Sequence, residues 1–193
     1  MRLYEYGLTK TREGEMKNPF LAGALAILLC FAFGSQNKAD QAELEKFRAQ
    51  AGLEEENTAS TLRLADAWMK GDIEALREIF SPDYVYHNET GQTASLEMLL
   101  EQLKKEIEMF PDRTISNEEL IAKGDRVVHR YIARGTHTGE VGGLAPTGNK
   151  LVLGGIEILR FENGKIVESW EALNYLSIFT AIGFELKPKE VKK

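Results

Sequence analysis

The chain has a single cysteine, Cys30, among 193 residues, so no intramolecular disulfide can form. Its three histidines, His87, His129 and His137, do not fall at metal-ligand spacing, and no HExxH or CxxC motif accompanies them. A bound metal is therefore not expected. No polybasic run occurs, and 24 basic residues face 30 acidic ones for a net charge of −6. That balance argues against nucleic acid and anionic membrane surfaces as partners. A glycine-rich phosphate loop and a nucleophile elbow are both missing, which argues against phosphate cradling and serine-nucleophile triads. Hydrophobic residues make up 43% of the chain, enough for the core of one domain.

One long apolar run is present, FLAGALAILLCFAF from Phe20 to Phe33. Its 14 residues fall short of the roughly 20 that span a bilayer and match the central region of a secretory leader. Lys17 supplies the positive charge before it, and Ala32 and Gly34 supply small residues for a cut before Ser35. The sequence thus predicts a leader over residues 1–34, with Met16 as the functional start and export as the outcome. Cys30 leaves a lipid anchor as an alternative, although Leu29 before it is a poor fit. Residues 35–56 are strongly charged and read as a solvated helix or tether. The domain is expected over 57–186, followed by a basic tail at 187–193.

Within that domain Leu62, Ala65, Trp68 and Met69 recur at helical spacing. Gly71-Asp72 ends this helix, and Asp72 can cap the next through its side-chain oxygen. The second helix carries Ile73, Leu76, Ile79 and Phe80 and stops at Ser81-Pro82-Asp83. Asp83–Asn88 reads as a short strand. Ser95 caps a third helix with an apolar stripe of Leu96, Leu99, Leu100, Leu103, Ile107 and Phe110. Strands are then expected at 113–122, Val127–His137, Leu151–Phe161 and Lys165–Tyr175. Asn163-Gly164 is a strong hairpin signal, because a type I′ turn needs positive φ at both central residues. Helices followed by long strands indicate an α+β fold with helices on one face of a bent sheet.

The series Gly71-Asp72, Ser81-Pro82-Asp83-Tyr84, Gly124-Asp125-Arg126-Val127, Gly135-Thr136-His137-Thr138-Gly139, Pro146-Thr147-Gly148 and Gly164-Lys165-Ile166-Val167-Glu168-Ser169-Trp170 resembles the SnoaL-like polyketide cyclases. These belong to the nuclear transport factor 2-like superfamily. The resemblance covers roughly residues 57–184. It implies a cone-shaped, curved antiparallel sheet closed by N-terminal helices around a pocket. It also implies cofactor-free chemistry on a small carbonyl compound, with an acid/base carboxylate on the last strand, and frequent homodimers.

Counting back from an unbulged Asn163-Gly164 turn pairs Glu157 with Trp170 and Leu153 with Asn174. Strand alternation then puts Glu157, Leu159, Trp170, Ala172 and Asn174 on one face, and Ile156, Ile158, Glu171 and Leu173 on the other. The Glu-x-Trp pattern of the resemblance makes the Trp170 face the lining. On the neighbouring strand His129, Tyr131, Ala133 and His137 share a face. The expected catalytic set is Glu157, His129 and Asn174. The expected ligand contacts are His87, Tyr131, His137, Leu159 and Trp170, around a small apolar or carbonyl-containing molecule. Asn174 stands near where relatives carry an acid and cannot take up a proton near neutral pH, so Glu157 and His129 are expected to replace it. A glutamate among Ile156, Ile158 and Leu159 must be partnered or have a raised pKa if buried. Each residue also has a structural reading: an ion pair for Glu157, a bonded core histidine for His129, a turn brace for His137, core packing for Trp170. The alternative function is a non-catalytic binding module. Ile132, Ile156, Ile158 and Leu173 are expected on the convex face as a dimer contact.

Overall fold

The computed structural model describes residues 19–140, 142–185 and 187. It divides into two compact units, residues 1–47 and 48–193. Of the first unit, the described part is helical from Pro19 onward and belongs to α1, Pro19–Lys70. The basic tail lies outside the described residues except for Lys187, as do residues 1–18 of the leader.

The second unit holds the fold. The later part of α1 is followed by α2 (Ile73–Ile79), β1 (Phe80–Asn88), β2 (Thr93–Ser95) and α3 (Leu96–Met109). Then come β3 (Thr114–Lys123), β4 (Arg126–Thr136), β5 (Lys150–Glu162), β6 (Lys165–Leu173) and α4 (Tyr175–Ala181). Asp72 caps α2 by accepting from the Ala75 amide, and Ser95 caps α3 by accepting from that of Met98. Both caps satisfy amides that a helix start leaves free. The six strands form one sheet in the order β2-β1-β6-β5-β4-β3. Every neighbouring pair is antiparallel except β1 and β6, which run parallel.

Two differences from the sequence reading follow. Phe80 leaves the second helix and opens β1, because the strand begins as soon as the helix is capped by the Phe80 amide on the Leu76 carbonyl. The last strand ends at Leu173, and Asn174 starts α4. The core lies between the helices and one face of the sheet. Leu76, Leu100 and Leu103 meet Leu159, Ile166 and Val127 there, all fully or almost fully buried. Burying one such side chain stabilises the fold by about 1.5–3 kcal/mol.

The Asn163-Gly164 turn forms as expected, with φ of 51° and 75°. The hairpin beyond it does not run straight. Phe161 pairs with Ile166, but Arg160 pairs with Glu168, so Val167 is an extra residue on β6. One inserted residue reverses which side chains face the core. Ser169, Glu171 and Leu173 thereby turn inward, while Trp170 and Ala172 turn out. This corrects the expected faces of β6: Glu157 stands opposite Glu171, and Ile158 opposite Trp170.

Candidate active site

A cavity of about 350 Å³ lies between the sheet and α1, α3 and α4. That size is within the range of small-molecule sites. Most of its wall is apolar, including Leu64, Phe80, Leu99, Met109, Leu153 and Leu173. A few polar groups converge on it, and the strands set each of them.

Glu171 comes from β6 and accepts hydrogen bonds from two phenols. Tyr131 of β4 donates to its Oε1, and Tyr86 of β1 donates to its Oε2 at 3.1 Å. Glu157 of β5 is its cross-strand partner, and side chains of such a pair are close neighbours. Burial pushes the Glu171 carboxyl up from 4.5 to about 7, and the nearby Glu157 charge pushes in the same direction. The two phenols act against this by stabilising the carboxylate. Burial also pushes the Tyr131 and Tyr86 phenols well above their ordinary value, with Glu171 adding to it. Both therefore remain donors at any working pH.

Glu157 does not stand alone. His129 Nδ1 lies 2.9 Å from its Oε1, and His129 Nε2 lies 2.8 Å from Asn117 Oδ1. The imidazole is buried, with 3% of its side chain accessible. An amide oxygen only accepts, so Nε2 holds a proton and Nδ1 faces the carboxyl. Gly155, opposite Tyr131 on β5, makes room for the phenol. A Cβ at Gly155 would lie 2.4 Å from Tyr131 Cζ. Gly155 is thus a seat for Tyr131.

The structure brings together three of the expected residues, Glu157, His129 and Tyr131, and places the others elsewhere. Trp170 sits on the outer face, stacked on His87 at 5.2 Å with Arg126 over its ring at the same separation. His87 is bonded there to Glu168, which also accepts from Arg160. The bulge at Val167 turns Trp170 outward, and alternation with the inward Tyr86 of β1 turns His87 outward. Leu159 faces inward but is sealed in the core at 1% exposure and lines no part of the cavity. Asn174 is exposed at the start of α4, because the strand stops one residue earlier. His137 is fully buried beyond the end of β4 against Phe110, with Thr147 bonded to its Nδ1. Leu173, expected outside, lines the cavity.

Tyr86, Glu171, Glu106, Arg113 and Asn117 were not expected at the site. Two carried a readable signal. Tyr86 shares alternation with the buried Tyr84. Glu106 interrupts the apolar stripe of α3, three residues after Leu103 and four before Phe110, where a carboxylate needs a reason.

The profile of the SnoaL-like polyketide cyclase family matches residues 59–182, and the chain belongs to that family. AclR from Streptomyces galilaeus, assigned as a hydroxylase, is 30% identical with a TM-score of 0.64, over 70% of this chain and 87% of that one. IdmH from Streptomyces antibioticus, assigned as a polyketide cyclase, is 30% identical with a TM-score of 0.59, over 66% and 98%. The SnoaL-like protein from Jannaschia Sp. CCS1 shares the fold at 22% identity, with a TM-score of 0.62 over 69% and 96%. No curated protein matches the chain.

Proposed function

We propose that the cavity closes or isomerises a small carbonyl compound by proton transfer, without a cofactor. The observation that carries this reading is Glu171, a carboxyl raised to about 7 and braced by two phenols opposite a carboxyl–imidazole pair. A base whose pKa lies near the working pH combines availability with driving force. Glu171 as carboxylate removes a proton from the carbon next to the substrate carbonyl, leaving an enolate. In a cyclase the enolate carbon then forms the new bond to a second carbonyl, and the resulting alkoxide takes back the proton held by Glu171. In an isomerase the proton returns to another carbon. His129 is not the base in this reading, since Asn117 and Glu157 occupy both its ring nitrogens. The family membership supports the same class of reaction.

The test needs no knowledge of the natural substrate. Deuterium exchange into the methyl group of methyl naphthyl ketone is followed by NMR in D2O. The protein should accelerate it, and Glu171→Gln should lose about 10²–10⁴-fold of that acceleration. The rate should rise with pH through about 7, as Glu171 ionises. Equal rates in parent and variant would sink the proposal. Ketone binding with no exchange in either would favour a binding module.

Two further features of the reading rest on the sequence. Export is proposed from the Phe20–Phe33 run, and an intact mass from the native host beginning near Ser35 is the outcome it requires. A homodimer is proposed through the outer sheet face, where Val152 and Ile156 are about half exposed.

A further inference from the structure

Glu171 is joined on one side to a chain of phenols that leads to the rim of the sheet. β1 and β6 run parallel, so their C-terminal ends lie at the same end of the sheet. Glu89 follows β1 there, and Tyr175 opens α4 just after β6 ends at Leu173. Tyr86 and Tyr175 both line the cavity. The Tyr86 hydroxyl has one proton, which it donates to Glu171 Oε2 at 3.1 Å. Its hydrogen bond with Tyr175 is therefore one that it accepts. Tyr175 thus donates to Tyr86, and Tyr86 to Glu171. Beyond Tyr175 stands Glu89, exposed and within electrostatic reach of that phenol.

A carboxyl raised to about 7 carries its proton in about half of the molecules at neutral pH. In those molecules Glu171 must lose the proton before it can act as a base. An apolar ketone that fills the cavity displaces water from that side, whereas the phenols belong to the wall and stay. A hydroxyl both donates and accepts, so it passes a proton along by giving one up as it takes another. Burial raises both phenols above their ordinary value, so no phenolate forms on the way. On release, the Glu171 proton goes to the Tyr86 oxygen, that of Tyr86 to the Tyr175 oxygen, and that of Tyr175 to water beside Glu89. Uptake runs the same steps in reverse. We propose that Tyr175 is a proton outlet, exchanging the Glu171 proton with solvent through Tyr86 while the cavity is occupied. This rests on Glu171 being the base, and it adds the route by which the base is reset.

In D2O, deuterium enters a ketone only if the proton that Glu171 removes is lost to solvent and replaced before it returns to carbon. Exchange into methyl naphthyl ketone at saturating concentration therefore reads the outlet. Tyr175→Phe in the full chain closes it while keeping the ring and its packing in place. Maximal exchange should fall by about 10²-fold, the lower end of what a positioned proton carrier contributes. Added imidazole, a small proton carrier, should return most of the lost rate, whereas the parent rate should not depend on buffer. Ketone affinity measured by calorimetry should be unchanged. A variant that exchanges as fast as the parent overturns the outlet and leaves the proton-transfer reading standing. A variant whose slower rate does not respond to imidazole assigns Tyr175 a structural role and also overturns it. If the parent itself gives no exchange, the reading of Glu171 as base fails and takes the outlet with it.

Discussion

Glu171 should make the protein less stable at neutral and alkaline pH than at mildly acidic pH, and Glu171→Gln should remove that dependence. Folding moves this carboxyl from 4.5 to about 7. The folded state therefore holds the proton more tightly than the unfolded chain does. Stability from this source is fully present below pH 4.5 and is lost as pH rises through about 7. The size of the move corresponds to roughly 3 kcal/mol, a large part of the 5–15 kcal/mol typical of a domain. Urea unfolding of parent and Glu171→Gln across pH 4.5 to about 8 measures it. Taking the difference between the two proteins cancels the histidines and the other carboxylates. The gap should open in the variant's favour as pH rises. Glu157→Gln deletes the like charge opposite and should shift the dependence to lower pH, because that charge is, after burial, the largest cause of the rise. Parallel curves for parent and Glu171→Gln would refute the argument. They would mean that the carboxyl is not held neutral by its surroundings.

Gly155→Ala puts a methyl group 2.4 Å from the Tyr131 ring. It should cost about 1–3 kcal/mol and lower ketone exchange by moving the phenol off Glu171, as read by urea unfolding and NMR. Unchanged exchange would show that Tyr131 has no part in setting the base. His87→Ala, outside the cavity, should leave exchange intact, and a loss comparable to that of Glu171→Gln would show that the outer face reaches the chemistry. Ile156→Glu should convert a dimer to a monomer in sedimentation, and a parent that sediments as a monomer at micromolar concentration would dispose of the interface.

What could be read from the sequence was local. The Asp72 and Ser95 caps and the Asn163-Gly164 turn act within four residues of themselves, and each appears where the residue types demand it. The inner face of β4 was readable for the same reason, since alternation continues unbroken through His129, Tyr131 and Ala133. The error lay three residues past the turn. Val167 is an ordinary strand residue, with neither glycine nor proline to mark a bulge, yet it reverses every side chain from Glu168 to Leu173. It hid Glu171 and wrongly promoted Trp170 and Asn174. His137 misled differently. Its GTHTG setting is explained by packing, since a Cβ at Gly139 would run into the Glu108 carbonyl. The parallel β1–β6 pair had no local signal at all, because its partners lie far apart in the chain.

That pair also bears on how the protein reaches its native state. β3 to β6 are successive neighbours, and each can close against the one before it across a turn or loop. β1 has no such help. Tyr84 meets Ser169, and Tyr86 meets Glu171, each at a sequence separation of 85. Closing so long a loop is entropically the most demanding step in assembling this sheet. Glu171 receives its second phenol only when that step is complete. The acid/base centre is therefore a reporter of finished topology, and on refolding, exchange activity should return with the slowest phase, after the hairpins have already given their strand signal.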